Sequence, residues 1–316
     1  MTLFGPIPSR RLGRSLGMNN IPPKLCSYSC AYCQIGLTDS MTVVRKRFYS
    51  PEEIYNEAAL RISELERAGE RIDYLTFVPD GEPTLDLNLG RTIEKLKVFG
   101  FKIAVITNAT LIWDEDVRDD LMKADWASLK IDSVDEKVWR RIDRPHGTLK
   151  LDKILEGAGT FSNEFKGTLV SETMLVKGVN DSTDILKQTA DFIATLNPYK
   201  AYILVATRPP AEKWVQPPDE ERLNAAYQIF NERLTSVELL AHSEGTDFTF
   251  TSDAEKELLS ILAVHPMSVK AVREFLDKSQ TTWDLIERLV AEKAVRQVEY
   301  SGDLYLMKNL SKRGAI

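Results

Sequence analysis

The chain has 316 residues, of which 43% are hydrophobic and 28% are charged, and its formal net charge is −6. This composition excludes a disordered or collagen-like chain, and at roughly 150 residues per domain the length predicts about two domains, or one barrel-sized domain with a small appendage. No apolar stretch approaches the roughly 20 residues that cross a bilayer, and the first residues lack the form of a signal peptide, so we expect a cytoplasmic protein with no membrane partner.

The first fifty residues are basic, although the whole chain is acidic. They hold one acidic residue, Asp39, against seven basic residues, namely Arg10, Arg11, Arg14, Lys24, Arg45, Lys46 and Arg47. This excess of positive charge indicates an anionic ligand or partner, and a basic surface patch without a specific partner explains it equally well. A first strand is predicted near residues 15–19.

All three cysteines of the chain follow this predicted strand, at Cys26, Cys30 and Cys33. An odd and small number of cysteines in a long chain excludes a disulfide framework. Three thiolates could hold zinc if a histidine supplied the fourth ligand, but the three histidines are all distant in sequence. A [4Fe-4S] cluster suits the spacing better, because three cysteines ligate three irons and leave the fourth iron open for a substrate or cofactor.

From residue 50 onward, helix and strand patterns alternate. Ser50, Pro51 and Glu53 form a helix start, with Ser as the N-cap, Pro at the first helical position and Glu three residues after the cap. This helix is predicted to end at Gly69. Further strands are predicted at 74–78, 102–108, 126–131, 167–176 and 201–207, and the helices between and after them at 89–98, 115–124, 150–161, 183–196 and 220–235.

The alternation of strands and amphipathic helices predicts βα units, whose strands pair in parallel through right-handed crossovers. With the first strand, the pattern gives about six strands, too few for a closed eight-stranded barrel of ~250 residues. An open doubly wound sheet satisfies the same periodicity, so the pattern alone leaves the architecture open. In either architecture the ligand site lies at the carboxyl ends of the strands.

The composition changes after the polar segment 243–247, which we interpret as a domain boundary. Three short helices are predicted at 254–264, 268–276 and 281–291, followed by a hairpin of strands at 295–300 and 304–308, which is a winged-helix pattern. The third helix and its C-terminal edge carry three acidic against two basic residues. Because a DNA reader needs the opposite balance, a protein-contacting, RNA-contacting or packing role is favoured.

The cysteine loop resembles the signature of the radical S-adenosylmethionine (radical SAM) superfamily, C-x3-C-x2-C with an aromatic residue, here Tyr32, before the last cysteine. The resemblance implies that the loop follows the first strand of a partial (β/α)6 barrel. It also implies that Cys26, Cys30 and Cys33 bind a [4Fe-4S] cluster, whose open iron binds the amino and carboxylate groups of SAM. Reductive cleavage of SAM then gives methionine and a 5′-deoxyadenosyl radical.

The resemblance implies further cofactor-binding residues. Gly81, Glu82 and Pro83 resemble the family's G-E-P motif, where backbone and Glu groups hold the SAM ammonium, although Gly and Pro also make an ordinary turn. Ser128 and Lys130 resemble the D-x-K element of glycyl-radical activating enzymes with Ser in place of Asp, which implies a salt bridge from Lys130 to the SAM carboxylate. The remaining residues are Tyr32, Asn108, placed to reach SAM or substrate, and Glu172, at the position of a SAM ribose contact.

The N-terminal segment narrows the resemblance. Residues 5–17, together with 32–36 and Arg144-Pro145, resemble the branch that contains the tRNA wyosine-base (4-demethylwyosine) synthases, over approximately residues 1–245. Those enzymes condense pyruvate with N1-methylguanosine in tRNA. Archaeal members bind a second [4Fe-4S] cluster through three further cysteines, and this sequence has no other cysteines, so the resemblance leaves the substrate open.

The sequence therefore predicts a radical SAM partial barrel at 1–245 and a winged-helix-like domain at 246–316. The leading hypothesis is an oxidoreductase or transferase that cleaves SAM to modify a macromolecule, with a tRNA or other RNA base ahead of a protein. An activating or maturase enzyme that generates a radical on a partner protein or peptide is the second hypothesis, and an iron-sulfur DNA-binding regulator is the third. Either enzyme implies a one-electron donor such as flavodoxin or ferredoxin.

Overall fold

The computed structural model describes residues 2–241, 248–251 and 253–309. In chain order the strands are β1 (Leu3–Ser9), β2 (Gly13–Met18), β3 (Leu25–Cys26), β4 (Ser40–Met41), β5 (Tyr74–Phe77), β6 (Lys102–Thr107), β7 (Trp126–Lys130), β8 (Thr168–Leu175), β9 (Lys200–Val205), β10 (Val237–Leu240), β11 (Met267–Ser268), β12 (Val295–Tyr300) and β13 (Asp303–Lys308). The helices are α1 (Pro51–Arg67), α2 (Leu89–Leu96), α3 (Glu115–Leu121), α4 (Glu136–Ile142), α5 (Leu151–Glu164), α6 (Thr183–Thr195), α7 (Glu220–Asn231), α8 (Ala254–Val264), α9 (Val269–Lys278) and α10 (Asp284–Ala291).

The larger sheet is mostly parallel. Within the described residues it has eight strands, in the order β1-β2-β5-β6-β7-β8-β9-β10. Only β1 and β2 pair antiparallel, and every later pair is parallel. Because the strands follow one another in chain order without the reversal of a doubly wound sheet, the architecture is the partial barrel, and the predicted fold class is confirmed.

The structure adds elements that periodicity did not predict. The strand β1 contains Pro6 and Pro8, which lack the N–H that a ladder needs, so its sequence does not look like a strand. The strand β10 has only four residues and the helix α4 only seven, so neither is long enough to show a clear period. As a result the sheet is wider than the sequence predicts.

The helix α1 shows why the predicted elements form where they do. Ser50 Oγ accepts a hydrogen bond from Glu53 N, and the Glu53 carboxylate accepts one from Ser50 N, so both orphan donors of the first turn are satisfied. The residues Ile54, Ala58 and Leu65 face the sheet and are buried. The helix ends at Arg67, and Gly69 follows with a φ of 70°, a conformation in which glycine is favoured.

Residues 248–309, as far as the structure describes them, form what we call the C-terminal unit. It contains the three predicted helices, as α8, α9 and α10, and a small sheet in the order β11-β13-β12. Its own core includes Phe248, Phe275 and Leu306. The predicted boundary segment 243–247 lies outside the described residues, and the division at 245 and the winged-helix assignment stay predictions.

The C-terminal unit packs directly on the barrel. Ile7 of β1 contacts the core of the unit. Arg61 Nη2 of α1 lies 3.1 Å from Glu257 Oε2, and Lys278 Nζ lies 3.4 Å from Glu70 Oε1. The two parts are therefore joined by apolar and charged contacts. None of the helices in the part of the chain that the structure describes combines the length and hydropathy of a membrane span.

Candidate functional site

A cavity of about 310 Å³ opens among the carboxyl ends of the parallel strands. Its lining includes the three cysteines and six of the other predicted cofactor residues, namely Tyr32, Gly81, Glu82, Asn108, Lys130 and Glu172. Pro83 and Ser128 are not among the residues that line it. The predicted edge of the sheet therefore collects most of the predicted site, from residues up to 146 positions apart in sequence.

The cysteine loop is held in place by backbone hydrogen bonds. The strands β3 and β4 pair in parallel at its two ends, with Cys26 opposite Met41. Ala31 N donates to Ile142 O at 2.8 Å, and Cys33 N donates to Cys30 O at 3.1 Å, which closes a turn between the second and third cysteines. The loop is thus fixed to the end of α4 before any ligand binds.

The donor set fits a [4Fe-4S] cluster. The three cysteines are free thiols that line one cavity, and in a cluster each thiolate would ligate a different iron. No three His, Cys, Asp or Glu side chains among the described residues, these cysteines included, converge on a single metal ion, and a cluster needs only one thiolate for each of three irons. Burial raises the pKa of Cys26 to about 12 and also raises the pKa values of Cys30 and Cys33. Iron ligation would release these protons, because the thiolate is the ligating form.

The turn after β5 packs tightly on the cysteine loop. A Cβ at Gly81 would lie 1.9 Å from Leu25 O, so only glycine fits there. Glu82 N donates to Leu25 O at 3.1 Å. Pro83 begins a short 3-10 turn, and its carbonyl accepts a hydrogen bond from Asn20 Nδ2 at 3.0 Å. The predicted motif therefore fixes the turn against the cysteine loop. Pro83 helps to shape this turn but does not line the cavity.

Glu82 is almost fully buried and its carboxylate is held by four donors. Glu82 Oε1 accepts hydrogen bonds from Thr84 N at 3.1 Å, from Thr84 Oγ1 at 2.6 Å and from Thr107 Oγ1 at 2.6 Å. Glu82 Oε2 accepts one from Asn108 N at 2.8 Å. Burial raises the pKa of Glu82, against the effect of these donors. The carboxylate thus ties the ends of β5 and β6 together.

Asn108 follows β6 and reaches the cysteine loop. Its Nδ2 donates to Ser27 Oγ at 3.0 Å and lies 3.5 Å from Cys26 Sγ. Its Oδ1 accepts hydrogen bonds from Thr110 N at 3.0 Å and from Thr110 Oγ1 at 2.7 Å. The amide is therefore oriented with its donor toward a predicted iron ligand, where a hydrogen bond to sulfur can tune a cluster.

Tyr32 and Lys130 lie together on the next part of the wall. Lys130 Nζ stands 4.9 Å from the centre of the Tyr32 ring and 3.9 Å from Asp132 Oδ1. The Tyr32 hydroxyl donates to Asp132 Oδ2 at 2.5 Å and lies 3.1 Å from Asp143 Oδ1. Burial and the neighbouring Asp132 raise the pKa of Asp143 well above its ordinary value. Lys130 is thus a largely buried cation held beside an aromatic ring.

Glu172 lies within β8 and forms a buried ion pair with Arg11. Ser128 Oγ donates to Glu172 Oε1 at 2.7 Å, so Ser128 orients the carboxylate from behind the cavity. Burial acts to raise the pKa of Glu172, but Arg11 and Lys130 outweigh it and hold the pKa below its ordinary value. Glu172 is therefore an ionised, paired carboxylate inside the barrel.

The basic residues of the first fifty do not form one patch. Arg14 pairs with Glu70 at 2.7 Å, and Arg45 pairs with Asp120 with only 10% of its side chain exposed. Arg10 and Arg11 precede β2, so they line the cavity from the amino end of the sheet. These basic residues are close in sequence, but several of them form ion pairs inside the protein with acidic residues from distant segments. The predicted basic patch is therefore smaller than the sequence indicates.

Several residues of the cavity were missed by sequence reasoning. Asp80 lines it directly before Gly81, and Asp132 and Asp143 surround the Tyr32 hydroxyl. The only sequence signal was the position of Asp80 in the turn after β5. Asp143 and Arg11 approach the site through pairings across more than a hundred residues, which no local pattern contains.

Several known proteins are similar to this chain. A UPF0026 protein of Methanocaldococcus jannaschii is 47% identical over 98% of this chain and 97% of its own length. A UPF0026 protein of Helicobacter pylori is 33% identical over 87% of this chain and 88% of its own. The crystal structure of a radical SAM methyltransferase from Sphaerobacter thermophilus matches 73% of this chain and 67% of its own chain, with a TM-score of 0.55. The two sequences are 16% identical, so this likeness concerns the fold alone.

The narrower resemblance to the wyosine-base synthases stays a prediction, because both full-length relatives named above are UPF0026 proteins. The broader resemblance has direct support. The sequence profile of the radical SAM superfamily matches residues 20–192, a segment that contains the three cysteines, the turn after β5, Lys130 and Glu172. The predicted cofactors, a [4Fe-4S] cluster and SAM, are those of this superfamily and are confirmed with it. This chain belongs to the radical SAM superfamily.

Proposed function

We propose that this enzyme reductively cleaves SAM to a 5′-deoxyadenosyl radical and uses that radical to modify a base in RNA. The observation that carries the proposal is a single cavity that the three cysteines, Lys130 and a buried acidic residue line together. Thiols alone are typical of many sites. Here the thiols suit the irons of the cluster, and the buried cation beside them suits the carboxylate of SAM.

Each part of the cofactor pair has residues that suit it. Cys26, Cys30 and Cys33 would hold the cluster, and Lys130 would bind the SAM carboxylate, because it is a cation with only 16% of its side chain exposed. When both are bound and an electron is delivered, the cluster and SAM supply a carbon radical that abstracts hydrogen. The implied electron donor is a flavodoxin or ferredoxin.

The protein itself lines part of the cavity with apolar side chains. Met174, Leu204 and Leu240, from three neighbouring strands, line the cavity beside the polar groups. Apolar side chains exclude water and so limit side reactions with it. The ion pair of Arg11 and Glu172 fixes the interior end of the cavity, so the reacting group enters from the carboxyl ends of the strands.

The size of the cavity favours a macromolecule that inserts one group. Ligand pockets span about 300–1,000 Å³, and this cavity of about 310 Å³ lies at the low end before either cofactor is placed. A substrate therefore contributes only its reacting part. Lys24 and Arg208 line the carboxyl-end rim, where positive charge suits the phosphates that flank an RNA base.

Comparison of modified nucleosides tests the RNA assignment. A deletion strain is complemented with the wild type or with Cys30→Ala, and nucleosides from tRNA and rRNA are analysed by mass spectrometry. We expect one modified nucleoside to be absent in the deletion, restored by the wild type and not restored by Cys30→Ala. Identical nucleoside profiles in all strains would contradict an RNA substrate.

A protein substrate is the second candidate, and one contact favours it. Tyr300 and Tyr305 of the C-terminal unit donate hydrogen bonds to Ala206 O at 2.8 Å and to Thr207 O at 3.1 Å, and both acceptor residues line the cavity. A protein that contacts this unit would therefore lie beside the site. It would show as a protein radical in electron paramagnetic resonance (EPR) that appears only when the partner is added.

A further inference from the structure

Two carboxylates on the turn after β5 differ in how they are satisfied. Glu82 accepts four hydrogen bonds through its two oxygens. Asp80 is only 3% exposed, and among the described residues no donor lies within hydrogen-bonding distance of its buried Oδ1. Both residues line the same cavity. A ligand that needs a carboxylate at this turn thus finds free accepting capacity at Asp80.

The main chain holds Asp80 in a fixed position. Asp80 N donates to Asn19 Oδ1 at 3.1 Å, and Asp80 O accepts a hydrogen bond from Lys24 N at 2.6 Å. These bonds fix the main chain of Asp80, so its carboxylate can move only by rotation about the side-chain bonds. A buried oxygen without a donor is costly, and native proteins keep few such groups. The position is therefore built for a donor that arrives with a ligand.

The surroundings of Asp80 favour a cationic or strongly polarised donor. Burial raises the pKa of Asp80 to about 7, while Lys308 and Lys24 act to lower it. Asp80 also acts electrostatically on Cys33, which places it near the iron ligands. Of the groups of SAM, the amino group is an N–H donor that lies at the cluster end of the molecule. Hydroxyl groups of the ribose lie at the other end.

We infer that Asp80, rather than Glu82, accepts a hydrogen bond from the amino group of bound SAM. This inference rests on the proposed function, because SAM is the ligand. Glu82 then acts as a positioning residue that ties β5 to β6 and holds the turn against Leu25. The G-E-P resemblance assigned the amino group to Glu82, and the hydrogen bonds of the structure favour its neighbour two residues earlier.

Equilibrium binding to two ligands tests the inference without turnover. The protein is reconstituted anaerobically with its cluster left oxidised, and calorimetry measures the dissociation constants of SAM and of its analogue with hydrogen in place of the amino group. The isosteric variant Asp80→Asn is compared with the wild type and with Asp119→Asn, the same substitution at an exposed aspartate outside the cavity. Iron content confirms that each protein holds its cluster.

We expect Asp80→Asn to bind SAM about tenfold more weakly, a change typical of one lost charged hydrogen bond, and to bind the analogue without the amino group within about twofold of the wild type. Equal binding of SAM by wild type and variant would overturn the inference, as would equal losses for both ligands. If Asp80→Asn does not fold, Asp80→Ser is measured in the same way. A cluster-loaded wild type that does not bind SAM would overturn the proposed function itself.

Discussion

The cavity has two sides that differ in how their polar groups are paired. The cysteine side consists of Cys26, Cys30, Cys33, Asp80, Glu82 and Asn108. The ion-pair side consists of Arg11, Lys130 and Glu172, with Ser128 behind Glu172. The cysteine side keeps free thiols and a carboxyl oxygen with no donor among the described residues. On the ion-pair side, Glu172 already has Arg11 and Ser128 as partners.

The difference separates ligand binding from the framework that supports it. Buried groups without partners are costly, and they persist where a ligand satisfies them in the working state. Buried ion pairs fix the position of the strands that carry them, because removal of one partner leaves an uncompensated buried charge. We therefore expect substitutions on the cysteine side to change cofactor binding, and most substitutions on the ion-pair side to change stability.

The largest effect is expected at the cysteines. Cys30→Ala removes one thiolate ligand, so the protein should lose its cluster and with it all SAM cleavage. Iron and acid-labile sulfide content, measured after anaerobic reconstitution, checks this. The control is Ser29→Ala on the same loop, whose side chain does not line the cavity. A full cluster in Cys30→Ala would show that the ligand assignment is wrong.

The next effect is on stability. Arg11→Met leaves Glu172 buried beside Ser128 and Lys130 without its main cation, and breaking a buried pair costs about 3 kcal/mol. Urea unfolding measures the free energy of unfolding. The control is Arg71→Met, which breaks an ion pair with Asp73 in which 79% of the Arg71 side chain is exposed, so it should cost less than about 1 kcal/mol. Equal effects of the two variants would contradict the comparison.

The same pair predicts a pH dependence. Because the folded protein holds the pKa of Glu172 below its ordinary value of 4.5, ionised Glu172 stabilises the fold at pH values above 4.5. This contribution is lost as the pH falls through the lower, folded-state pKa. The stability difference between wild type and Glu172→Gln should therefore shrink on acidification below pH 4.5. A stability difference that grows as the pH falls would contradict the lowered pKa of Glu172.

Lys130 belongs to the ion-pair side but also lines the cavity, so its substitution should change cofactor binding. Lys130→Met keeps the length of the side chain and removes its charge, so SAM should bind about tenfold more weakly while the cluster stays bound. Calorimetry on the oxidised protein measures the affinity. Lys95→Met, at a surface cation paired with Glu52 outside the cavity, is the control. Unchanged SAM affinity in Lys130→Met would remove Lys130 from the site.

The smallest effect is expected where the cysteine side meets the C-terminal unit. Gln34 Nε2 donates to Val264 O at 2.9 Å, and Gln34 Oε1 accepts from Arg208 Nη1 at 2.9 Å. Gln34→Leu should destabilise this contact by about 1 kcal/mol, seen as faster amide exchange in α8. The control, Gln216→Leu, removes only a 3.4 Å contact at an exposed site. Equal exchange in both variants would show that Gln34 does not join the two parts.

The sequence predicts those features that local chemistry carries. The capping residues Ser50 and Glu53 mark the start of α1, and the cysteine spacing marks the cluster site. Helical and strand periods locate six of the sheet strands. Short elements such as β10 and α4 escape because they span too few residues to show a period.

Pairings between distant segments were beyond prediction from the sequence. The basic residue Arg45 reads as part of a cationic patch, but the fold brings Asp120 to it from 75 residues away. Glu82 and Asp80 look equivalent as acids of one turn, but Glu82 also accepts hydrogen bonds from Thr107 and Asn108 at the end of β6, which are distant in sequence. Such differences depend on tertiary contacts, which residue type and spacing do not specify.

We expect the cysteine side to hold the cluster that cleaves SAM. The most direct measurement is the 5′-deoxyadenosine formed when the anaerobically reconstituted protein is reduced with dithionite in the presence of SAM and no other substrate. We predict that the wild type and Ser29→Ala form 5′-deoxyadenosine and methionine in equal amounts and that Cys30→Ala forms none. A reduced, cluster-loaded wild type that leaves SAM intact would contradict the account and favour an iron-sulfur protein with no role in SAM cleavage.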